Sequence, residues 1–198
     1  MPKGSLNHPV ICGVDEVGRG PLAGPVVAAA VILDPQNHIE GLNDSKLLSP
    51  AARLSLFSEI LDKCAGYGIA GVSCFIIDKI NILQASLLAM KYAVEKLRLR
   101  PDKIYIDGTF TIPGLAIYQE AIKGADRSIA EVAAASILAK VARDAYMIKQ
   151  AELYPDYGFE RHKGYATEEH LEAIAKIGPC KIHRRSFRPI SQIELWEN

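Results

Sequence analysis

Two adjacent carboxylates, Asp15 and Glu16, end an apolar run that begins at Pro9 and lead directly into a Gly18-Arg-Gly20 turn. Acidic side chains are seldom buried unless they are paired or metal-bound, so an apolar run that ends in two acids is unusual for a plain strand. The glycines allow the backbone to approach a ligand closely, and Arg19 supplies a cation suited to phosphate. These residue types predict a site that cleaves phosphodiester bonds with metal ions.

Two more acids occupy comparable positions in the chain. Asp107 closes the short apolar run Ile104-Tyr-Ile106, and Asp126 precedes an alanine-rich helical pattern. If the strands before Asp15 and Asp107 are neighbours, their carboxylates meet at one end of the sheet, where ligands gather in α/β proteins. Asp126 fits equally well as a helix cap or a first-turn acid. Crowded carboxylates repel one another unless a cation is present, and oxygen ligands favour Mg²⁺ or Mn²⁺ over zinc.

Five further side chains are candidates for binding a substrate, each with an ordinary structural alternative. Ser45 and Lys46 offer a hydroxyl and an ammonium to a phosphate, or belong to a plain polar loop. Lys140 and Arg143 lie three residues apart on one side of a predicted helix, where they either follow a nucleic-acid backbone or are simply solvated. Tyr165 follows several cations, a pattern that suits stacking on a sugar or base, although a lone tyrosine after a glycine is more often a packing residue.

The glycines between Gly18 and Gly24 also invite comparison with a dinucleotide-binding loop. Such a loop must open a helix whose first turn holds the pyrophosphate. Here Pro21 and a second apolar run take the place of that helix. The pattern therefore argues against a nucleotide-dependent oxidoreductase.

Composition limits the class of protein. The chain has 198 residues, 49% of them hydrophobic, and no formal net charge, which predicts one domain with an ample core and no overall basic field. Basic residues are nevertheless concentrated in residues 161–188, which indicates either a local face for nucleic acid or a solvated helix and tail. The four cysteines form no CxxC pair, which favours a reducing compartment. Because the longest apolar stretch is interrupted by Pro25 and no signal-type segment opens the chain, we expect a soluble, cytoplasmic protein without a membrane partner.

Hydrophobic periodicity and turn residues predict an α/β architecture. Strands are expected over residues 10–14, 25–33, 67–77, 104–106 and 116–121. Helices are expected over residues 50–64, 82–99, 130–154 and 167–176. The expected helix caps are Ser49, either Asp78 or Asn81, and Thr167. A Gly/Pro turn between the first two strands predicts an antiparallel hairpin, so the sheet should have mixed strand directions and be covered by helices.

Taken together, the motifs resemble those of the bacterial ribonuclease HII group in the type 2 ribonuclease H family. The N-terminal block, which is very specific, reads Asp15-Glu-Val-Gly-Arg-Gly-Pro-Leu-Ala-Gly-Pro-Val26. The shorter blocks follow in the same order along nearly the whole chain: Asn43-Asp-Ser-Lys46, Ile106-Asp-Gly108, Ala133-Ala-Ala-Ser-Ile-Leu-Ala-Lys140, Arg143-Asp144, His162-Lys-Gly-Tyr165 and His183-Arg-Arg-Ser-Phe187.

The resemblance implies an RNase H-like fold, with a catalytic domain over residues 1–155 and a small helical C-terminal region over residues 156–198 packed on it. It implies that four carboxylates bind the metal and catalyse the reaction: Asp15, Glu16, Asp107 and Asp126. One departure affects the last of these, since bacterial members often read Lys-Gly-Asp where this chain reads Lys123-Gly-Ala-Asp126. It also implies that Gly18, Arg19, Gly20 and Tyr165 recognise the ribonucleotide at an RNA–DNA junction.

The activity that the resemblance implies is that of an endoribonuclease using two Mn²⁺ or Mg²⁺ ions. Such an enzyme hydrolyses the RNA strand of RNA–DNA hybrids and cuts duplex DNA 5′ of an embedded ribonucleotide, leaving 5′-phosphate and 3′-hydroxyl ends, as in ribonucleotide repair and replication. Its partners would be these nucleic acids. The tail at residues 193–198 shows no clear sliding-clamp-binding peptide, so the sequence does not support a clamp partner, and a monomer is the default.

Two other functions remain compatible with the motifs. A related metal-dependent nuclease of the same fold group would cut DNA junctions without needing a 2′-hydroxyl. A non-catalytic protein would bind RNA–DNA hybrids, although naked carboxylates repel phosphate unless metal is present.

Overall fold

The strand that carries the paired acids lies at the centre of a five-stranded sheet in the computed structural model, which describes residues 9–42 and 48–193. The strands are β1 (Ile11–Val17), β2 (Val26–Ile32), β3 (Gly66–Val72), β4 (Lys103–Asp107) and β5 (Tyr118–Ile122). Their spatial order is β3-β2-β1-β4-β5. The first three form antiparallel pairs, whereas β4 runs parallel to both β1 and β5. The predicted hairpin and the mixed strand directions are both confirmed.

Six helices accompany the sheet in the described part of the chain. They are α1 (Pro50–Lys63), α2 (Cys74–Glu95), α3 (Ala130–Leu153), α4 (Phe159–His162), α5 (Glu168–Ile177) and α6 (Ile190–Ile193). Helix α1 begins as predicted, because the Ser49 hydroxyl accepts a hydrogen bond from the Ala52 amide at 3.2 Å. Thr167 caps α5 in the same way, accepting from the amide of His170 at 3.3 Å.

The prediction of a strand over residues 67–77 was wrong in its second half. Strand β3 ends at Val72 and α2 begins at Cys74. The prediction failed because a short apolar run such as Phe75-Ile-Ile77 fits a helix as well as a strand. A kink interrupts α2 at Asn81, whose φ is 66° and whose Oδ1 accepts from the amides of the second and third residues that follow. Asn81 therefore caps the segment that was predicted as a separate helix.

Helices cover both faces of the sheet, and β2 contributes small side chains to each layer. Ala28 and Ala30 pack into the layer shared with α2, whereas Ala29 and Val31 pack into the layer shared with α1 and α3. The turn between β1 and β2 leads into a strand and not into a helix, as Pro21 predicted. The expected α/β class with a mixed sheet is confirmed.

The residues after α3 form short helices that pack against the end of that helix and against the turn between β1 and β2. Leu22 and Met147 share a buried cluster with Phe159, Ile174 and Ile190. The division at residue 155 stays a prediction, since this cluster joins both sides of it. No helix among residues 9–42 and 48–193 is long and apolar enough to cross a membrane.

Candidate active site

Three buried or half-buried carboxylates meet at the C-terminal end of β1 and β4. One oxygen from each of Asp15, Asp107 and Asp126 lies within 4.8 Å of the other two. The parallel register pairs Val14 with Ile106, so the acids that follow these residues emerge at the same edge of the sheet. The structure therefore brings together three of the four acids that the sequence singled out.

Asp107 also shapes the turn that delivers Asp126. Its Oδ1 accepts hydrogen bonds from the amides of Gly124, at 2.7 Å, and Ala125, at 3.1 Å. Gly124 has a φ of 76°, which favours glycine, and a 3-10 turn over Ala125–Arg127 follows it. The extra alanine of this chain is buried inside that turn, and Asp126 is only 3% exposed beside the other two acids.

Glu16 lies beside this trio, one residue further along β1. Its carboxylate pairs with the Arg19 guanidinium at 3.3 Å. Glu16 lies close enough to Asp15 for its charge to raise the pKa of that residue, and Asp107 acts on Glu16 in the same way. That Glu16 serves as a fourth metal ligand stays a prediction.

The negative charges of these acids repel one another in the absence of a cation. Burial raises the pKa of Asp15 well above its usual range, the charges of Glu16 and Asp107 raise it further, and a hydrogen bond with Ser136 opposes the shift. Burial likewise raises the pKa of Glu16, against the lowering effect of Arg19. A hard divalent cation fits this donor set, because it would be bound by oxygens alone and would neutralise the repulsion.

Arg143 does not face solvent, and the expectation that it contacts a nucleic-acid backbone needs correction. Its side chain is wholly buried. Its Nε donates to the carbonyl of Pro25 and its Nη2 to that of Ala23, both at 3.0 Å, while Nη1 donates to that of Lys163 at 3.1 Å. A built Cβ on Gly18, whose φ is 93°, would lie 2.2 Å from the Arg143 Nε. Arg143 therefore positions the turn between β1 and β2, residues Gly18–Gly24, which we call the glycine turn.

The described residues among the other predicted substrate contacts differ in their exposure. Lys140 is partly exposed, and its ammonium pairs with Asp144 at 2.8 Å on the same helix. Its contact with a nucleic-acid backbone stays a prediction. Gly18 is buried, whereas Arg19 and Gly20 are exposed. Ser45 and Lys46 lie outside the described residues.

Tyr165 comes from the distant C-terminal part of the chain to stand beside the turn. A Cβ built on Gly20 would lie 3.9 Å from the tyrosine Cε1, and the ring centroid is 5.8 Å from the buried Arg143 guanidinium carbon. Tyr165 is 39% exposed. Gly20 and Tyr165 thus form one accessible surface, with the guanidinium beneath the ring.

Arg184 was missed as a contributor to the site by sequence reasoning, which placed it only within the motif at residues 183–187. Its side chain is wholly buried and donates to the carbonyls of Gly18, Arg19 and Gly24 at 2.5, 2.9 and 3.0 Å. Burial, together with the neighbouring charge of Arg143, lowers its pKa to about 9. The only signal in the sequence was that this motif contains two consecutive arginines, Arg184 and Arg185.

A groove of about 320 Å³ opens beside the acids. Glu16 and Asp107 line it together with Arg19, Lys123 and Phe110, and the last of these is 53% exposed. Acids that can hold a cation therefore lie next to cations that can hold a phosphate and a ring that can contact a sugar or base. This combination suits hydrolysis of a nucleic-acid phosphodiester bond.

Curated relatives match this chain over most of its length and most of their own. The chain is 54% identical to the ribonuclease HII of Idiomarina loihiensis over 184 residues, which is 93% of this chain and 98% of the relative. It is 53% identical to the ribonuclease HII of Caldicellulosiruptor bescii over 177 residues, or 89% of this chain and 85% of the relative.

Solved structures share the fold. The ribonuclease H2 of Pyrococcus horikoshii superposes with a TM-score of 0.78 at 31% identity, covering 94% of this chain and 97% of that one. The ribonuclease HII of Archaeoglobus fulgidus, solved as a complex with PCNA, gives 0.72 at 28% identity over 90% and 95% of the two chains. A Bst ribonuclease HIII solved with Mn²⁺ gives 0.71 at 17% identity over 97% and 71%, which shows the fold alone.

The family assignment follows from the extent of these matches together with the acidic site. The "Ribonuclease HII" family model matches residues 12–190, which include the three clustered acids, the glycine turn, Tyr165 and Arg184. The resemblance inferred from the motifs is confirmed, and so is the expectation of a nuclease with a hydrolase activity. This chain belongs to the ribonuclease HII family.

Proposed function

We propose that this ribonuclease H, besides hydrolysing the RNA of RNA–DNA hybrids, cuts duplex DNA on the 5′ side of a single embedded ribonucleotide. The hybrid activity is that of the family. The finer activity, with 5′-phosphate and 3′-hydroxyl products, is supported by one observation above all. Arg19 of the glycine turn pairs with Glu16 beside the clustered acids, and Tyr165 lies next to Gly20 of the same turn, so that the proposed sites of cleavage and recognition are adjacent.

Four side chains form the proposed metal site. Asp15, Asp107 and Asp126 converge, and Glu16 adjoins them on β1. Two Mn²⁺ or Mg²⁺ ions bound there would lower the pKa of the attacking water and stabilise the charge on the leaving 3′ oxygen. Asp107 holds its carboxylate rigidly, because two backbone amides bind one of its oxygens and leave the other for a ligand. Arg19, paired with Glu16, is placed to bind the adjacent phosphate.

The glycine turn and Tyr165 form the proposed ribonucleotide reader. In this scheme, amides of the Gly18–Gly20 turn donate to the 2′-hydroxyl, which is the group that distinguishes RNA from DNA. Tyr165, exposed beside Gly20, then stacks on the deoxyribose of the next nucleotide. A substrate without the hydroxyl would leave buried polar groups unpaired and be rejected on that account.

A cleavage assay with an Asp107→Asn variant tests the proposed metal site. We expect metal-dependent cleavage of a labelled duplex with one ribonucleotide by the wild type, none with a chelator, and none by the variant, which retains duplex binding. Asp62→Asn on the exposed side of α1 is the matched control and should cut normally. An Asp107→Asn enzyme as active as wild type would refute the site.

Substitutions of Tyr165 test the proposed reader separately. Tyr165→Phe keeps the ring and should cut the single-ribonucleotide duplex at close to the wild-type rate, whereas Tyr165→Ala should cut it much more slowly. The thermal midpoint should change little in either variant, because the ring is partly exposed. An unchanged rate for Tyr165→Ala would discard the stacking role, and cleavage of hybrids alone by the wild type would discard junction recognition while retaining the nuclease.

A further inference from the structure

The C-terminal segment 182–186 is bound along the back of the glycine turn. The Gly24 amide donates to the Ile182 carbonyl at 2.9 Å, and the Arg184 amide donates to the Leu22 carbonyl at 2.8 Å. A β-bridge joins Ala23 and His183 between these two bonds. The turn that carries Arg19 and Gly20 is therefore supported by chain that lies far from it in the sequence.

A second element, helix α2, holds the end of the same segment. The Asp78 carboxylate on α2 accepts hydrogen bonds from the Arg185 and Ser186 amides, both at 2.9 Å, and from the Ser186 hydroxyl at 2.6 Å. The segment therefore cannot shift toward solvent without breaking these bonds. Arg184 emerges from a backbone fixed on both sides.

The Arg184 guanidinium determines which way two peptide planes of the turn face. It draws the carbonyls of Gly18 and Arg19 toward the interior at 2.5 and 2.9 Å. In a trans peptide the N–H points opposite to the C=O of the same plane. The amides of Arg19 and Gly20, which share planes with those carbonyls, are therefore directed away from the guanidinium.

Only an arginine can make this set of contacts. Its planar fork presents several donors at fixed angles, and three nitrogens here reach three different carbonyls. A lysine has one point charge on a flexible stem and cannot orient two adjacent peptide planes at once. The side chain is also wholly buried, so it does not touch nucleic acid itself.

We propose that Arg184 is a positioning residue for ribonucleotide selectivity, which holds the Arg19–Gly20 peptide with its N–H turned toward the 2′-hydroxyl of the substrate. This assignment rests on the proposed function of the glycine turn. It places part of the determinant for RNA over DNA in the C-terminal segment, at a residue that neither binds metal nor contacts substrate.

Equilibrium binding measures this role directly. In an Asp107→Asn background with Mn²⁺, fluorescence anisotropy gives the affinities for two duplexes that differ only in one 2′-hydroxyl. We expect Arg184→Gln to lower the preference for the ribonucleotide duplex at least tenfold while the affinity for the all-DNA duplex stays within twofold. Arg184→Lys, which keeps the charge and is the milder change for folding, should lose preference to an intermediate extent.

A destabilised control separates positioning from general stability. Ile60→Ala removes buried side chain on α1, within the cluster that packs α1 and α3 on the sheet, and should lower the thermal midpoint while keeping the parent's preference. If Arg184→Gln and Arg184→Lys both lower the midpoint but keep the preference, Arg184 is only structural and the inference falls. If the parent has no preference and the wild type does not cut the single-ribonucleotide duplex, the proposed function fails first and the inference falls with it.

Discussion

A methyl group added at Gly13 should disturb the candidate active site, although Gly13 itself is not one of its acids. It lies in β1 two residues before Asp15, where the first turn of α3 crosses the strand. A Cβ built there would lie 2.1 Å from the carbonyl carbon of Glu131, 2.2 Å from the amide nitrogen of Val132 and 2.4 Å from the Glu131 oxygen. All three are backbone atoms, so no side chain can rotate out of the way.

The displacement that Gly13→Ala requires is set by these distances. Ordinary van der Waals contact begins near 3.4 Å, so the Glu131 carbonyl carbon must retreat from 2.1 Å by about 1.3 Å. Overpacking of a well-packed interior costs about 1–3 kcal/mol, and backbone clashes belong at the upper end of that range. Because α3 also carries Ser136, a hydrogen-bond partner of Asp15, the helix cannot move without disturbing the acids. A misplacement of about 1 Å costs a site roughly 100-fold in rate.

Urea unfolding tests the expected loss of stability, and single-turnover cleavage of an RNA–DNA hybrid at saturating Mn²⁺ tests the expected loss of rate. We expect Gly13→Ala to lose about 3 kcal/mol of unfolding free energy and roughly 100-fold in rate. Gly71→Ala in β3 is the matched control, because its nearest contact would be ordinary, 3.6 Å from Val27 Cγ2. A Gly13→Ala enzyme that unfolds like wild type and cuts within twofold of its rate would refute the reasoning.

Three further perturbations have defined outcomes. Burial lowers the pKa of His170 and His183 from 6.5 to about 4, so the unfolded chain binds more protons between these pH values. Stability should therefore be full above pH 6.5 and fall on acidification to pH 4, by at most about 3 kcal/mol for each histidine, as measured by thermal unfolding across pH. Asp126→Asn should weaken Mn²⁺ binding at least tenfold in calorimetry, with Asp62→Asn unchanged; equal affinities would remove Asp126 from the metal site. Ser49→Ala removes the cap of α1 and should cost about 1 kcal/mol in urea unfolding without changing the cleavage rate.

The fold was predictable where local pattern and final environment agree. The apolar runs of β1 and β2, separated by a Gly/Pro turn, form the expected hairpin. Ser49 before Pro50 marks the start of α1 because capping depends on neighbours within one turn. The apolar run after β3 was mistaken for strand because its periodicity is ambiguous over so few residues. Only its packing against the sheet makes it the first turns of α2.

The acids were identifiable in the same way, since each follows an apolar run or precedes a helix. Asp126 was less clear than the others, because the extra alanine before it changes the spacing of the motif. The structure absorbs that residue in a 3-10 turn held by Asp107. The two buried arginines were not predictable, because Arg143 looked like a surface cation on a helix and Arg184 like part of a basic tail.

The sequence alone determined the family, most of the order of strands and helices, and the three acids that meet at the edge of the sheet, because these depend on residue type and near-neighbour spacing. Tertiary structure alone decided that Arg143 and Arg184 turn inward and that Tyr165 stands beside Gly20. A buried arginine and an exposed one have the same local sequence signal. Their difference arises when carbonyls from distant segments converge to replace the water that a guanidinium would otherwise keep.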